Sequence, residues 1–584
     1  MPLDIRQAYE KGTRNYDGTP GKNLWQNTCK YQIQVAMNPE TRELNGNESV
    51  VYWNNGPDTI KSIIFNTYLD VYKKGNPRAT QIDQETDGVT LGSVLIDGDT
   101  VKEKDFSNAS TYRKVSLKKY LNPHSSCKLE VKWSVIFNDI IGREGFVDNT
   151  SAFIALWYPK IAVYDDLFSW NRNNYTTKDE FYSPLSTYDV SISLPKGFLV
   201  WATGTLQNPG NYPVLINERI KEATSGSKTE VIIDSSTILN PNEIGKEPWR
   251  FHADSVPDFA FAFSNHFLWD ATSLTLKTKK VLISTVYPKE QLPYFKDATK
   301  EARNTIEIYS NEDPGIEFPY NRFTTFYGGM GMEYPMMAFD CVLQDSAIDA
   351  YVVIHEMLHT YVPFYLRTNE TKFAWLDEGL THFYTLKMLK KQKYDMDYLN
   401  KTLAEIFYSG IDGIGNLPLI TPTTYMGTDN WLGMGYVKPE QMYSALEDQL
   451  GPGVWQKCFA SFVQTWKYES PMPYDFFFFV ENYTGKDLFW FWDAWFMHYG
   501  YPDLSVQKVN NGTVTIENKG GLPIPFTLVI TDEKGRQTEQ TYHADRWRKG
   551  NKFEIKLTAL KPTKIEVKCD LVNDYNLKDN TWKN

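Results

Sequence analysis

From about Tyr31 to Phe263 the chain alternates apolar and polar residues in short runs such as Tyr31-Gln32-Ile33-Gln34-Val35 and Val190-Ser191-Ile192-Ser193-Leu194. Turn clusters rich in Asn, Gly, Asp and Pro separate the runs, so this stretch predicts a large antiparallel β domain. A second strand-dense section begins at Leu504, with alternation at Thr513-Val514-Thr515-Ile516 and apolar-rich runs over Phe526 to Ile530 and Phe553 to Leu557, and it fits a small β-sandwich. Between them the period changes to three or four. Asp297 to Tyr309, Ala347 to Val362, Phe373 to Lys391, Gln441 to Leu450, Gly453 to Trp466 and Tyr474 to Asn482 all predict amphipathic helices. The order is β, then mostly α, then β, without internal repeats. The run Phe476 to Phe479 reads as a buried helix face.

The length of 584 residues allows three or four domains, each with its own core. An aromatic content of 15% excludes a disordered chain. A net charge of −11, with no cluster of five or more basic residues, argues against nucleic acid. No stretch reaches the 18 apolar residues of a membrane span, and Met1-Pro2-Leu3-Asp4 lacks the pattern of a secretory signal. Five cysteines, the nearest two 98 positions apart (127 − 29), exclude a Cys-rich zinc module and leave the redox compartment open.

The chemistry concentrates in Tyr351-Val-Val-Ile-His355-Glu356-Met-Leu-His359. Residues four apart share a helix face, so His355 and His359 can aim imidazole nitrogens at one point with Glu356 beside them. A catalytic zinc takes three protein ligands and keeps a fourth position for water. Glu378, beyond an eighteen-residue gap after His359 and early in the next predicted helix, is the candidate for the third. The bland alternatives are a pair of solvated histidines and an acidic first-turn residue favoured by the helix dipole.

His355-Glu356-x-x-His359 followed by eighteen residues and Glu378 resembles the gluzincin metallopeptidases, and in particular the aminopeptidase N family. Tyr327-Gly328-Gly329-Met330-Gly331-Met332-Glu333-Tyr334-Pro335 is similar to that family's Gly-x-Met-Glu-Asn exopeptidase motif. Gly435-Tyr436-Val437-Lys438-Pro439 resembles its Tyr-x-Lys-Gly segment. The resemblance implies a multidomain α+β chain. An N-terminal antiparallel, saddle-like β domain would span residues 1–270, a thermolysin-like, mainly α catalytic domain 271–502, and a small C-terminal β-sandwich 503–584, with no helical C-terminal cap domain.

It also implies one zinc ion per chain on His355, His359 and Glu378. Glu356 would be the general base, Tyr436 the oxyanion donor, and Gly331, Met332 and Glu333 the substrate-binding segment. Glu333 would pair with the free α-amine of a peptide substrate; its plain alternative is an edge-strand charge. Met330 replaces the Gly that opens the family motif, Tyr334 its Asn, and Pro439 a Gly, changes expected to reshape the first-residue pocket or to shift Tyr436. Most of the Met330, Met332, Met336 and Met337 group is expected to pack inside. No equivalent of the family's N-terminal Gln or Glu is evident between Ala152 and Asp166, including Leu156. Asp377 reads either as a group orienting a ligand or as a helix N-cap, and His382 as an ordinary helix residue. The expected activity is zinc-dependent removal of N-terminal residues. Another zinc hydrolase on the same scaffold, endopeptidase-like or epoxide-hydrolysing, and a non-catalytic peptide-binding homologue stay open. A monomer is favoured, and because Asp17 to Asn27 resembles the start of exported bacterial members, an exported protein of the periplasm or cell envelope with its signal removed is expected, the alternative being a cytoplasmic one.

Overall fold

Alternation along Thr28–Asn38 becomes alternation of burial: Cys29, Tyr31, Ile33, Val35 and Met37 face inward, and Lys30, Gln32, Gln34 and Ala36 face out. That is the pattern of a sheet with one packed face and one solvated face. The computed structural model describes all residues except 83, 410–415, 429–430, 511 and 558–561, and the side chains of 406–409. The chain forms two compact units. One comprises residues 1–370, 388–394 and 465–471, the other residues 371–387, 395–464 and 472–584.

In the first unit, Thr28–Asn38 sits inside an eight-stranded sheet. Its antiparallel neighbour is Glu43–Asn54, and its other neighbour, Ser186–Ser193, runs parallel to it. The expected antiparallel domain therefore contains one parallel pair, reached by a connection long enough to leave the sheet and return. The packed face is aromatic. Tyr31 stacks on Tyr188 at 4.9 Å, and the fully buried Trp157 donates its indole N–H to Phe259 O at 2.9 Å. Large rings bury much apolar area, which accounts for the aromatic composition. Gly46 stands opposite Trp133, where a Cβ would lie 2.4 Å from the indole, so only glycine admits that ring.

The same unit holds a six-stranded sheet in the order Glu230–Ile233, Leu268–Thr275, Lys280–Tyr287, Arg322–Tyr327, Met337–Asp340, Glu333–Tyr334. Lys280–Tyr287, Arg322–Tyr327 and Met337–Asp340 run parallel, and the two-residue strand Glu333–Tyr334 closes the edge antiparallel. Helices Ala298–Asn311 and Ser346–Leu358 pack on this sheet and on each other.

The second unit carries Lys438–Leu450, most of Pro452–Trp466 and Pro473–Thr484, close to the helices predicted from periodicity. Phe476, Phe477 and Phe479 are buried, as a helix face should be. Its C-terminal part is two small antiparallel sheets, one of Leu504–Asn510, Thr513–Asn518 and Lys552–Lys556, the other of Gln537–Tyr542, Phe526–Asp532, Pro562–Lys568 and Thr581–Lys583. The multidomain α+β order read from the sequence is the observed one. All five cysteines are free thiols. Among the described residues no helix is long and apolar enough to cross a membrane.

A buried ion pair ties the N-terminal segment to the first unit. The side chains of Arg14 and Asp166 are 1% and 5% exposed and bond through Nη2 to Oδ1 at 3.0 Å and Nε to Oδ2 at 3.1 Å. Burial pushes the Asp166 carboxyl up, but the Arg14 charge and hydrogen bonds from Arg14 and Thr13 outweigh it and hold the group below the usual carboxylate range. Its stabilisation is therefore present at neutral pH and is lost as pH falls through the depressed folded value. Asp166→Ala is expected to destabilise the first urea-unfolding transition at pH 7 by about 3–5 kcal/mol, because it leaves Arg14 buried without its counter-charge.

Candidate metal centre

The helix that carries the histidine motif begins with an N-cap. Asp345 accepts hydrogen bonds from the backbone N–H of Ala347 at 3.0 Å and Ile348 at 3.1 Å, satisfying two of the orphan donors of the first turn. The helix Ser346–Leu358 then buries His355, Glu356 and, just past its end, His359. The two Nε2 atoms stand 3.1 Å apart with the rings at 90°.

The α-helix stops short of the expected end at Val362. Thr360–Tyr365 is a wider turn, inside which Val362 is extended at φ −138° and ψ 115°. Pro363 is the reason, since a residue before proline is driven out of the helical region and proline itself offers no N–H. The break has a chemical consequence. The freed Val362 carbonyl lies 3.1 Å from Nδ1 of His359; a carbonyl can only accept, so Nδ1 carries the proton and Nε2 presents its lone pair. Tyr351 stacks on the His355 ring at 5.2 Å.

Glu378 is the first residue of helix Glu378–Lys391. Asp377 accepts the first helical bond through its backbone carbonyl, from Thr381 N at 3.0 Å, which puts it at the N-cap position. His355, His359 and Glu378 each offer one ligand atom, all within 4.8 Å of one another, and all three residues are buried. Two neutral nitrogens and one carboxylate oxygen form the donor set of a catalytic zinc. The His359 Nε2 lone pair, fixed by Val362, is aimed at His355 Nε2, an arrangement that fits a cation held between the two rings.

Within the first unit, Glu333, Glu356 and His359 also offer oxygen, oxygen and nitrogen within 4.8 Å of one another. Glu333 lies on the edge strand, as its plain reading had it, yet is only 4% exposed. Gly331 has φ +89°, and a Cβ there would sit 2.8 Å from Glu356 Oε1. Its place in the substrate motif is thus also the space into which the Glu356 carboxylate fits. Met332, Met336 and Met337 are buried, whereas Met330 is 78% exposed.

In the second unit, Tyr436 lies in the turn Gly433–Val437, half-buried, with its ring 6.2 Å from that of His382, one turn along the helix from Glu378. His382 is fully buried, so it belongs to the packing around this tyrosine. Pro439, which departs from the family pattern, is accommodated by Gly379, where a Cβ would fall 2.4 Å from its ring. Lys438 donates Nζ to Asn416 Oδ1 and Leu417 O, both at 2.8 Å, and burial pushes its ammonium down to about 7.

Sequence reasoning missed Arg143 and Glu180. They lie 37 positions apart (180 − 143), outside the window searched for an N-terminal partner, and Arg143 Nη1 reaches Met332 Sδ at 2.8 Å. No local pattern marks either residue.

A pair of histidines on one helix and a glutamate opening the next is the arrangement that the sequence resemblance to gluzincin metallopeptidases implies. Residues 332–495 match the Peptidase family M1 domain. The matched segment holds His355, Glu356, His359 and Glu378, so the chain carries a domain similar to the M1 zinc metallopeptidases. Its fold is shared with a mutant of the M1 zinc metallopeptidase from Deinococcus radiodurans at TM-score 0.54 and 11% identity, over 83% of this chain and 98% of that one. The mutant bound to a Tyr-Ser-Ala substrate gives TM-score 0.53 at 12% identity, over 82% and 96%. Aminopeptidase A from Legionella pneumophila, in complex with aspartic acid, gives TM-score 0.63 at 14% identity; 92% of this chain aligns with 58% of that one. No curated protein sequence matches the chain.

Two outcomes test the centre. Zinc added to the chelated protein should raise its melting temperature, since ligand at 100 times Kd is worth about 2.7 kcal/mol of stability, and His359→Ala or Glu378→Ala should lose both the shift and the bound zinc. Gly331→Ala should keep its zinc and lower peptide-hydrolysis kcat by at least about tenfold, because the added methyl displaces Glu356 and errors near 1 Å are worth about a hundredfold.

Proposed function

We propose that the protein is a zinc-dependent aminopeptidase that removes single residues from the N-termini of peptides. The observation that carries this reading is the closeness of the Glu333 carboxylate to Glu356 and His359, within 4.8 Å. A buried carboxylate pairs well with an ammonium group. One residue of extended chain spans about 3.3–3.6 Å, so an amine held on Glu333 places the first peptide bond, and no later one, at Glu356. Peptides with a free N-terminus are therefore the substrates.

His355, His359 and Glu378 hold the zinc. When bound, the metal supplies a Lewis acid and a water whose pKa falls from 15.7 to about 7. Glu356 is buried beside the ligands without being one of them; its carboxylate takes the proton from the attacking water and returns it to the departing amine. Tyr436 donates its phenolic O–H to the oxygen on which negative charge develops, a contact worth about a hundredfold or more in rate. Gly331 and Met332 form the backbone along which the substrate lies, an added strand at the sheet edge next to Glu333. The tripeptide bound by the Deinococcus relative is consistent with this class of substrate.

The test compares aminoacyl p-nitroanilides with their N-acetylated forms. Free-amine substrates should be hydrolysed at least about a hundredfold faster, and Glu333→Gln should remove most of that preference, since the loss of a charge-assisted bond is worth about 1.5–3 kcal/mol. Glu356→Gln should retain zinc and reduce kcat by at least about a thousandfold. Equal rates on free and blocked substrates would overturn the aminopeptidase reading while leaving the metallopeptidase centre intact.

A further inference from the structure

Glu333 sits on a strand of two residues at the edge of the sheet, where Glu333 pairs with Ala338 and Tyr334 with Met337. One more backbone bond, from Phe339 N to Met332 O at 2.9 Å, completes its hold on the sheet. So short an edge strand has few backbone bonds of its own to the sheet. Neighbours along an extended strand project to opposite faces, so Met332 and Tyr334 lie behind Glu333, on the side away from its carboxylate.

Both of those neighbours are held by one residue. Arg143, in the loop between strands Ser125–Ile136 and Gly145–Asp148, donates Nη1 to Met332 Sδ at 2.8 Å, and its backbone carbonyl accepts the Tyr334 hydroxyl at 3.0 Å. The guanidinium is itself fixed. Glu180 binds it in bidentate fashion at 2.5 and 2.7 Å, and the rings of Tyr175 and Phe181 lie 5.7 and 5.3 Å from it. The side chains of Arg143 and Glu180 are 14% and 5% exposed. A planar fork held on one edge by a carboxylate and between aromatic rings is a rigid strut, which a lysine would not reproduce.

We propose that Arg143, braced by Glu180, is a positioning residue that clamps the Met332–Tyr334 strand from behind and so sets the Glu333 carboxylate for the substrate's ammonium group. The inference rests on the reading of Glu333 as the amine-binding residue. The clamp acts on substrate placement and leaves the metal ligands and Glu356 untouched.

The experiment measures kcat and KM for an aminoacyl p-nitroanilide and its N-acetylated form, with zinc content and melting temperature, in the wild type, Arg143→Gln/Glu180→Gln, Met332→Leu and Glu333→Gln. Removing both charges of the pair avoids stranding either one. The double variant is expected to raise KM for the free-amine substrate at least tenfold and to lower the free-over-blocked preference by a similar factor, with kcat within threefold and one zinc per chain. Met332→Leu, which keeps volume and removes the sulfur contact, is expected to raise KM about threefold. A folded, zinc-loaded double variant with KM and preference within twofold of wild type would overturn the proposal, as would a fall in kcat at constant KM. If the double variant does not fold, an unchanged KM in Met332→Leu overturns it. Preference lost in Glu333→Gln but kept in the clamp variants defeats the clamp alone; preference kept in Glu333→Gln defeats the amine-binding reading beneath it as well.

Discussion

Two imidazole nitrogens 3.1 Å apart in a buried setting are the constraint on which the site depends. Two imidazole nitrogens facing each other in a buried place are stable only when a cation or a proton lies between them. Helical spacing brings the rings to one face, and the break at Val362-Pro363 supplies the acceptor that fixes His359 as the tautomer with its proton on Nδ1. The proline that ends the helix thereby orients a ligand.

Small residues make room for everything else. Gly331 leaves space for the Glu356 carboxylate, and Gly379, next to Glu378, leaves space for Pro439 at the start of the helix that follows Tyr436. Each is a glycine beside a catalytic candidate, and at each a single Cβ would meet an atom of the site or its support at under 3 Å. The edge strand that bears Glu333 is two residues long, and under the proposed reading, in which an extended peptide adds at that edge, its support comes from behind rather than from its free side.

How much of this the sequence discloses depends on the range of the interaction. Helices such as Gly453 to Trp466 show in the periodicity because one face of each is buried along its whole length, and the spacing of His355, His359 and Glu378 is a local pattern with few other uses. Val214–Ser225 escaped because Ile216 and Ala223 are its buried residues while Val214 and Leu215 face outward, which breaks the stripe. The end of the motif helix was read too long at Val362, although Pro363 stood in the sequence to mark it. The pairing of Arg143 with Glu180, and of Arg143 with Met332, arises only when segments far apart in the chain come together, and no spacing rule encodes it. The parallel pairing of Thr28–Asn38 with Ser186–Ser193 was hidden for the same reason.

The central claim is that His355, His359 and Glu378 form a zinc centre with a position left for a reacting water. X-ray absorption at the zinc edge on the purified protein tests it directly. The account predicts two imidazole nitrogens at about 2.0–2.1 Å and oxygen donors at about 2.0–2.2 Å, with four or five ligands in all and no sulfur, and loss of one imidazole shell in His359→Ala. A sulfur shell near 2.3 Å, a site closed by four protein ligands, or an unchanged spectrum in that variant would contradict it.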